Sequence, residues 1–352
     1  MRTFFALVLV TSLLACNPQG SGPLGTNEEE EEEVLPGEWL IPSDEVIDGG
    51  PGKDGIPSID IPNFIGPEQV DYLFDSDFVV VVAVGETTRV YPHPVLDWHE
   101  IVNDRVDDFA FALTYCPLTG TASNWNRTIN GKETTFGVSG LLYNSNLIPY
   151  DRETDSNWSQ MRLDCVNGEN QGDSVETSPV FETTWEQAKK IDNIEVLSTE
   201  TGFSRNYGNY PYGDYRTNHN NLIFPLSNTD NRKKTKDRVL GVLEFGVPKI
   251  YGFDNFLSET DEIIIDTYRG KNIMVVGNKA KNYITAFYPT EGRAFDPLMN
   301  EFPYIVQDDL GNQYDIFGRS RLTDDRLEQP EQFIGYWFSW AAFYPNLLIY
   351  EN

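Results

Sequence analysis

The sequence predicts an α+β, β-rich fold of two related, duplicated β-rich halves with short helices. Three observations carry this expectation. Runs of β-branched and aromatic residues recur along the chain, each closed by a Gly, Asn or Pro turn. Helical periodicity is confined to short stretches. The same motifs also occur twice in the same order. Residues 79–84 followed by Arg89-Val90-Tyr91-Pro92-His93 are echoed by 239–245 followed by Lys249-Ile250-Tyr251-Gly252-Phe253, and 109–115 by 272–277. The pair 185–190 and 193–197 is echoed by 336–343 and 346–350.

The first element is not part of the fold. Arg2 precedes an apolar run, residues 4–15, too short to span a bilayer, which ends in Leu13-Leu14-Ala15-Cys16. This resembles a bacterial lipobox: 1–15 reads as a lipoprotein signal peptide and Cys16 as the lipidation site. The membrane is then a partner through that lipid, and the mature chain belongs to the bacterial cell envelope, extracytoplasmic. Residues 16–48, with six consecutive Glu at 28–33, read as a disordered, acidic, self-repelling tether. The formal net charge of −29 makes nucleic acid a poor partner.

Residues 49–200 form the first repeat. A turn-rich segment, Gly49-Gly50-Pro51-Gly52-Lys53-Asp54-Gly55-Ile56-Pro57, leads into a hairpin predicted over 78–84 and 88–91. Pro94 fits the first turn of a short helix on which Val95, Trp98, His99 and Val102 share one face, turning His99 inward. The strand over 109–116 puts Phe109, Phe111, Leu113 and Tyr115 on one side and Ala110, Ala112, Thr114 and Cys116 on the other, so something packs closely on the small side. Helical pattern returns over 184–191, where Trp185 and Ala188 face the core, and a strand over 194–197 closes this half. Residues 201–237 read as a Tyr-, Gly- and Asn-rich connecting loop, and 238–352 as the second, degenerate repeat. That repeat carries neither the Cys nor the His, so any chemistry belongs to the first.

Cys116 is the focus of the site. It ends an apolar strand, opens the turn Pro117-Leu118-Thr119-Gly120 and follows Trp98-His99-Glu100 at short range. Three readings stay open. In the first, Cys116 is a nucleophile, His99 its base and Glu100 or Asp97 the group that orients the imidazole. In the second, Cys116 and His99, joined by His93 or a carboxylate, hold copper or zinc. In the third, which is preferred, His99 and Cys116 are buried structural residues of a module that binds a ligand or partner, with His93, Thr119, Arg205, Tyr207 and Tyr212 as binding candidates. A disulfide between Cys116 and Cys165 would favour the third reading by removing the thiol.

The segments Gly49 to Ile61, Trp98 to Asp104, Thr114-Tyr115-Cys116-Pro117-Leu118-Thr119-Gly120-Thr121-Ala122, Phe136 to Arg152 and Thr201 to Tyr215 resemble an exported prokaryotic family known as domain of unknown function 3179. The resemblance spans nearly everything after the tether and implies no established activity. Many members resemble Cys-Pro-Leu-Cys-Gly where this chain has Cys116-Pro117-Leu118-Thr119-Gly120, which weakens a two-cysteine redox or metal chemistry here.

Overall fold

Strand-forming residues dominate wherever the sequence alternates or runs apolar, and α-helix among the described residues is limited to three short pieces, His93–His99, Trp185–Ala188 and Trp337–Phe343. The fold is thus β-rich α+β. The computed structural model of the protein describes residues 38–256 and 259–351. The expected signal peptide, Cys16 and the expected tether up to residue 37 lie outside the described residues, as do Leu257 and Ser258. The tether expectation is corrected at its end. Trp39, Leu40 and Ile41 pack on Ile148 and Val166, and Ile47–Asp48 pairs with Phe136–Tyr143, because this stretch carries the apolar side chains that the Glu run lacks.

The first hairpin, Phe78–Val84 with Thr87–Pro92, sits at the centre of a sheet. Val180–Thr184 pairs antiparallel to its first strand, and Ile194–Leu197 runs parallel to its second after the Trp185–Ala188 helix crosses over. A second sheet is ordered in the same way. Arg238–Glu244 and Val247–Gly252 form its hairpin, Glu331–Tyr336 flanks it antiparallel, and Leu348–Ile349 returns parallel after Trp337–Phe343. Each hairpin is followed by a three-strand meander. In the first half this is Ile101–Val106, Phe109–Cys116 and Thr121–Asn126; in the second it is Glu262–Tyr268, Lys271–Asn278 and Tyr283–Phe287.

The alternation along Phe109–Cys116 divides two cores. Phe111, Leu113 and Tyr115 join Val80, Val82 and Tyr91 on one side. Ala112 and Cys116 face Trp125, Phe136 and Trp158 on the other, so the small side chains make room for an aromatic cluster whose rings meet edge to face. The halves are interlocked rather than separate. Val79, Val81 and Phe181 of the first share a core with Met274, Tyr283 and Ile305 of the second, and the described residues belong to one compact unit.

Candidate functional site

The helix that starts at His93 is stopped by the backbone of Glu100. Its φ of 58° and ψ of −33° lie in a region that non-glycine residues avoid, and two hydrogen bonds hold it there. Its N–H donates to Leu96 O at 2.8 Å, and its carbonyl accepts from Tyr115 N at 2.6 Å. The break corrects one sequence expectation: Val102 is not on the helix but on the strand Ile101–Val106, two residues past a turn that periodicity does not reveal.

This turn places the Glu100 side chain, 6% exposed, in the wall of an apolar cavity of about 230 Å³. Ile56, Leu118, Val138, Leu142, Leu147 and Tyr212 line it, and exposed Pro51 and Ile223 form part of its rim. Gly140, at φ +81°, lets the 49–55 segment close over it, since a Cβ there would lie 2.7 Å from the Gly52 backbone. Burial pushes the Glu100 carboxyl up to about 8, against a weak hydrogen bond from Tyr212 Oη to Oε1 at 3.4 Å, with Asp97 adding repulsion. At neutral pH the group is a carboxylic acid that can donate a hydrogen bond.

Apart from Tyr212, the other predicted residues lie outside the lining of this cavity. Cys116 lies in the apolar cluster behind it, 1% exposed, its Sγ donating to Ser145 O at 3.6 Å. Burial, then the nearby Glu100, pushes its thiol up to about 11, so it is protonated at neutral pH. His99 is fully buried. Its Nδ1 donates to Pro57 O at 2.7 Å and its Nε2 accepts from Tyr207 Oη at 2.7 Å, so both ring nitrogens are engaged away from Cys116. Burial holds the ring pKa low, and these bonds fix the Nδ1–H tautomer. Thr119 Oγ1 meets Thr121 Oγ1 at 2.8 Å and accepts from Asn146 Nδ2 at 2.9 Å, within a buried network that continues through Gln160.

His93 begins the helix elsewhere, with Nδ1 3.2 Å from Tyr115 Oη. Tyr207 and Tyr212 tie the connecting loop to His99 and Glu100, as Tyr215 ties it to Leu118 O at 2.9 Å. Arg205 is exposed and reaches only Ser204 O among the hydrogen bonds of the described residues. Cys116 and Cys165 are both free thiols although they share one buried cluster, which corrects the disulfide alternative: Cys116 Sγ points to Ser145 O, and Cys165 Sγ to Asn157 O and Asn167 O. Among the described residues no three His, Cys, Asp or Glu side chains converge as a metal cage requires. No helix among them is long and apolar enough to cross a membrane.

Sequence reasoning located Glu100 but missed the cavity. Val138, Leu142 and Leu147 come from a hairpin inserted after the meander, and only the glycine spacing Gly137/Gly140 hints that another segment packs against it. The protein is thus a β-rich α+β chain with an acid-bearing apolar cavity. The chain belongs to the family described as "Protein of unknown function (DUF3179)", whose model matches residues 53–347. No curated protein and no solved structure matches it.

Proposed function

We propose that the protein is a lipid-anchored, extracytoplasmic binding module whose first half takes a small, largely apolar ligand in the cavity at Glu100. One observation carries the reading: a single protonated carboxyl in an otherwise apolar wall. Such a site rewards a ligand with one hydrogen-bond acceptor on an apolar body. A cavity of ~150 Å³ accommodates a benzene-sized molecule, so this larger one suits a ring with a short substituent. The thiol-enzyme and metal readings have less support, because the Cys116 thiol is buried and protonated and His99 has no ring nitrogen to spare.

The two halves are read as copies of one unit, a reading supported by the matching order of hairpin, antiparallel flank, helix and parallel return in their central sheets. The second copy has become scaffold: its Phe253–Asn255 turn stands where the first has His93–His99. The anchor rests on the Leu13-Leu14-Ala15-Cys16 motif. Expressed in a bacterium, the wild-type chain should take up labelled fatty acid and lose residues 1–15, and Cys16→Ala should do neither. Labelling of the variant would refute the anchor.

Ligand entry is tested by titrating the full chain with acetophenone while following the methyl resonances of Leu118, Leu142 and Leu147. Saturable shifts confined to these methyls support the reading. Shifts spread evenly over the protein, or none, contradict it.

A further inference from the structure

The turn from Cys116 to Gly120 lends Leu118 to the cavity at Glu100 and Gly120 to a second one, of about 170 Å³, that shares no lining residue with the first. Its wall reverses the sign of the molecule. The chain has 26 Lys and Arg against 55 Asp and Glu, yet Arg216, Lys236 and Arg238 line this cavity and no carboxylate does. His93, Tyr115 and Tyr336 complete its polar surface.

The cations are held in place from behind. Arg216 Nη2 donates to buried Asp97 at 2.5 Å, and Arg238 donates to buried Glu182 at 2.9 Å and to Asn282 at 2.6 Å. A guanidinium has five N–H donors, so each keeps some for a ligand. Lys236 is 4% exposed and has no carboxylate bonded to it; its ammonium donates to the carbonyls of Tyr215, Asn218 and Asn221. Three cations face two carboxylates, of which Asp97 is raised by burial to about 7, so near neutral pH the site carries at least one positive charge in excess. Tyr336 Oη feels both guanidinium groups and both carboxylates. His93 Nε2, buried, has no hydrogen bond although Glu182 Oε2 lies 3.4 Å away. The Gly120 backbone, at φ +61°, admits the Tyr336 ring, which a Cβ would meet at 3.0 Å.

We propose that this cavity binds a small oxyanion, a phosphate, sulfate or carboxylate group, gripped by Arg216 and Arg238 with the Tyr336 hydroxyl. An enclosed guanidinium pair recognises such groups through charge-assisted hydrogen bonds, and the enclosure limits the competition of salt. A bound anion also relieves the uncompensated ammonium of Lys236. Burial lowers the pKa of His93, which faces Tyr115, Glu182, Arg238 and Arg216, and brings Lys236 down to about 8 against the opposing attraction of Asp214. An anion draws protons back onto both and onto Asp97, the partner of Arg216, whose carboxyl burial raises to about 7, so binding near neutral pH takes up protons.

The test is calorimetry of the full chain with inorganic phosphate, sulfate and acetate against a chloride background, in buffers of different ionisation enthalpy. The expected result is saturable one-to-one binding of at least one of them, with proton uptake. Binding should weaken about tenfold or more in the charge-neutral double variant Asp97→Asn/Arg216→Gln, and several-fold in Tyr336→Phe. Acetate binding more tightly than phosphate would assign a carboxylate end group, and the reverse order a phosphate. If the double variant does not fold, Tyr336→Phe, which removes only a hydroxyl, decides. Absence of saturable heat with all three anions, or wild-type affinity in the folded variants, overturns the proposal.

Discussion

Glu100 concentrates the physical argument at the scale of one residue. Its ionisation costs folding free energy, because the folded chain holds the carboxyl at about 8 while the unfolded chain releases its proton near 4.5. Below the unfolded value both states are protonated and nothing is lost. Between the two values the folded state keeps a proton that the unfolded state has given up, so stability falls as pH rises, and it levels off above 8. Glu100→Gln resembles the protonated acid and has no proton to lose. The variant should match wild type at pH 4 and exceed it at pH 8.5 by a few kcal/mol, since each tenfold difference in proton affinity between the two states is worth ~1.4 kcal/mol. Denaturant unfolding at the two pH values checks this, and equal stability at both would show that the carboxyl is not buried as described. The sequence signalled Glu100 through its neighbours Trp98 and His99. It carried no sign of the positive φ that turns the side chain into a cavity, because that conformation is imposed by the strand bond from Tyr115.

At the scale of elements, the Tyr-rich loop is a cover seated by its aromatic hydroxyls. Tyr207 donates to His99 and accepts from Thr201 at 2.6 Å; Tyr210 reaches Pro117 O at 3.4 Å; Tyr215 reaches Leu118 O. His99, the candidate base for Cys116 in the sequence, bridges this cover and the segment around Pro57. Removing the Tyr207 hydroxyl leaves a buried ring nitrogen without a donor, at a cost of about 1–3 kcal/mol. Tyr207→Phe should therefore speed amide exchange across 201–215 while the strand Phe109–Cys116 stays protected. Unchanged exchange in the loop would show that it is held by other contacts. Periodicity exposed His99 as inward-facing. It could not name the partners, which lie 42 and 108 residues away along the chain.

The whole molecule was legible where local pattern decides and illegible where distant segments meet. The expected strand over 194–197 matches Ile194–Leu197, and the hairpin at 78–91 differs only by a residue at the second strand's ends, because alternation and β-branching are local. Helical spacing overreaches, 184–191 against Trp185–Ala188, since it continues after the backbone turns away. The sharing of one core by both halves was not visible at all. Phe181 meets Tyr283 at 5.5 Å between ring centres, and Arg238 neutralises Glu182 across the halves. Residues 38–200 alone would expose that core face and bury an unpaired Glu182. The fragment should show no cooperative thermal transition, whereas the full chain melts in one. A cooperative, native-like fragment would show that the halves are independent.

The central claim, an apolar cavity that reads its ligand through a protonated Glu100, is tested most directly by comparing acetophenone with cumene, molecules of the same heavy-atom skeleton of which only the first has an acceptor oxygen. At pH 6 acetophenone should bind several-fold more tightly, as expected for one hydrogen bond of about 1 kcal/mol. That advantage should fade as pH rises through about 8, where the donor is lost and a buried charge appears. In Glu100→Ala it should be absent at every pH. Equal binding of the two ligands at pH 6, or a preference for acetophenone that persists unchanged above pH 9, would contradict the account.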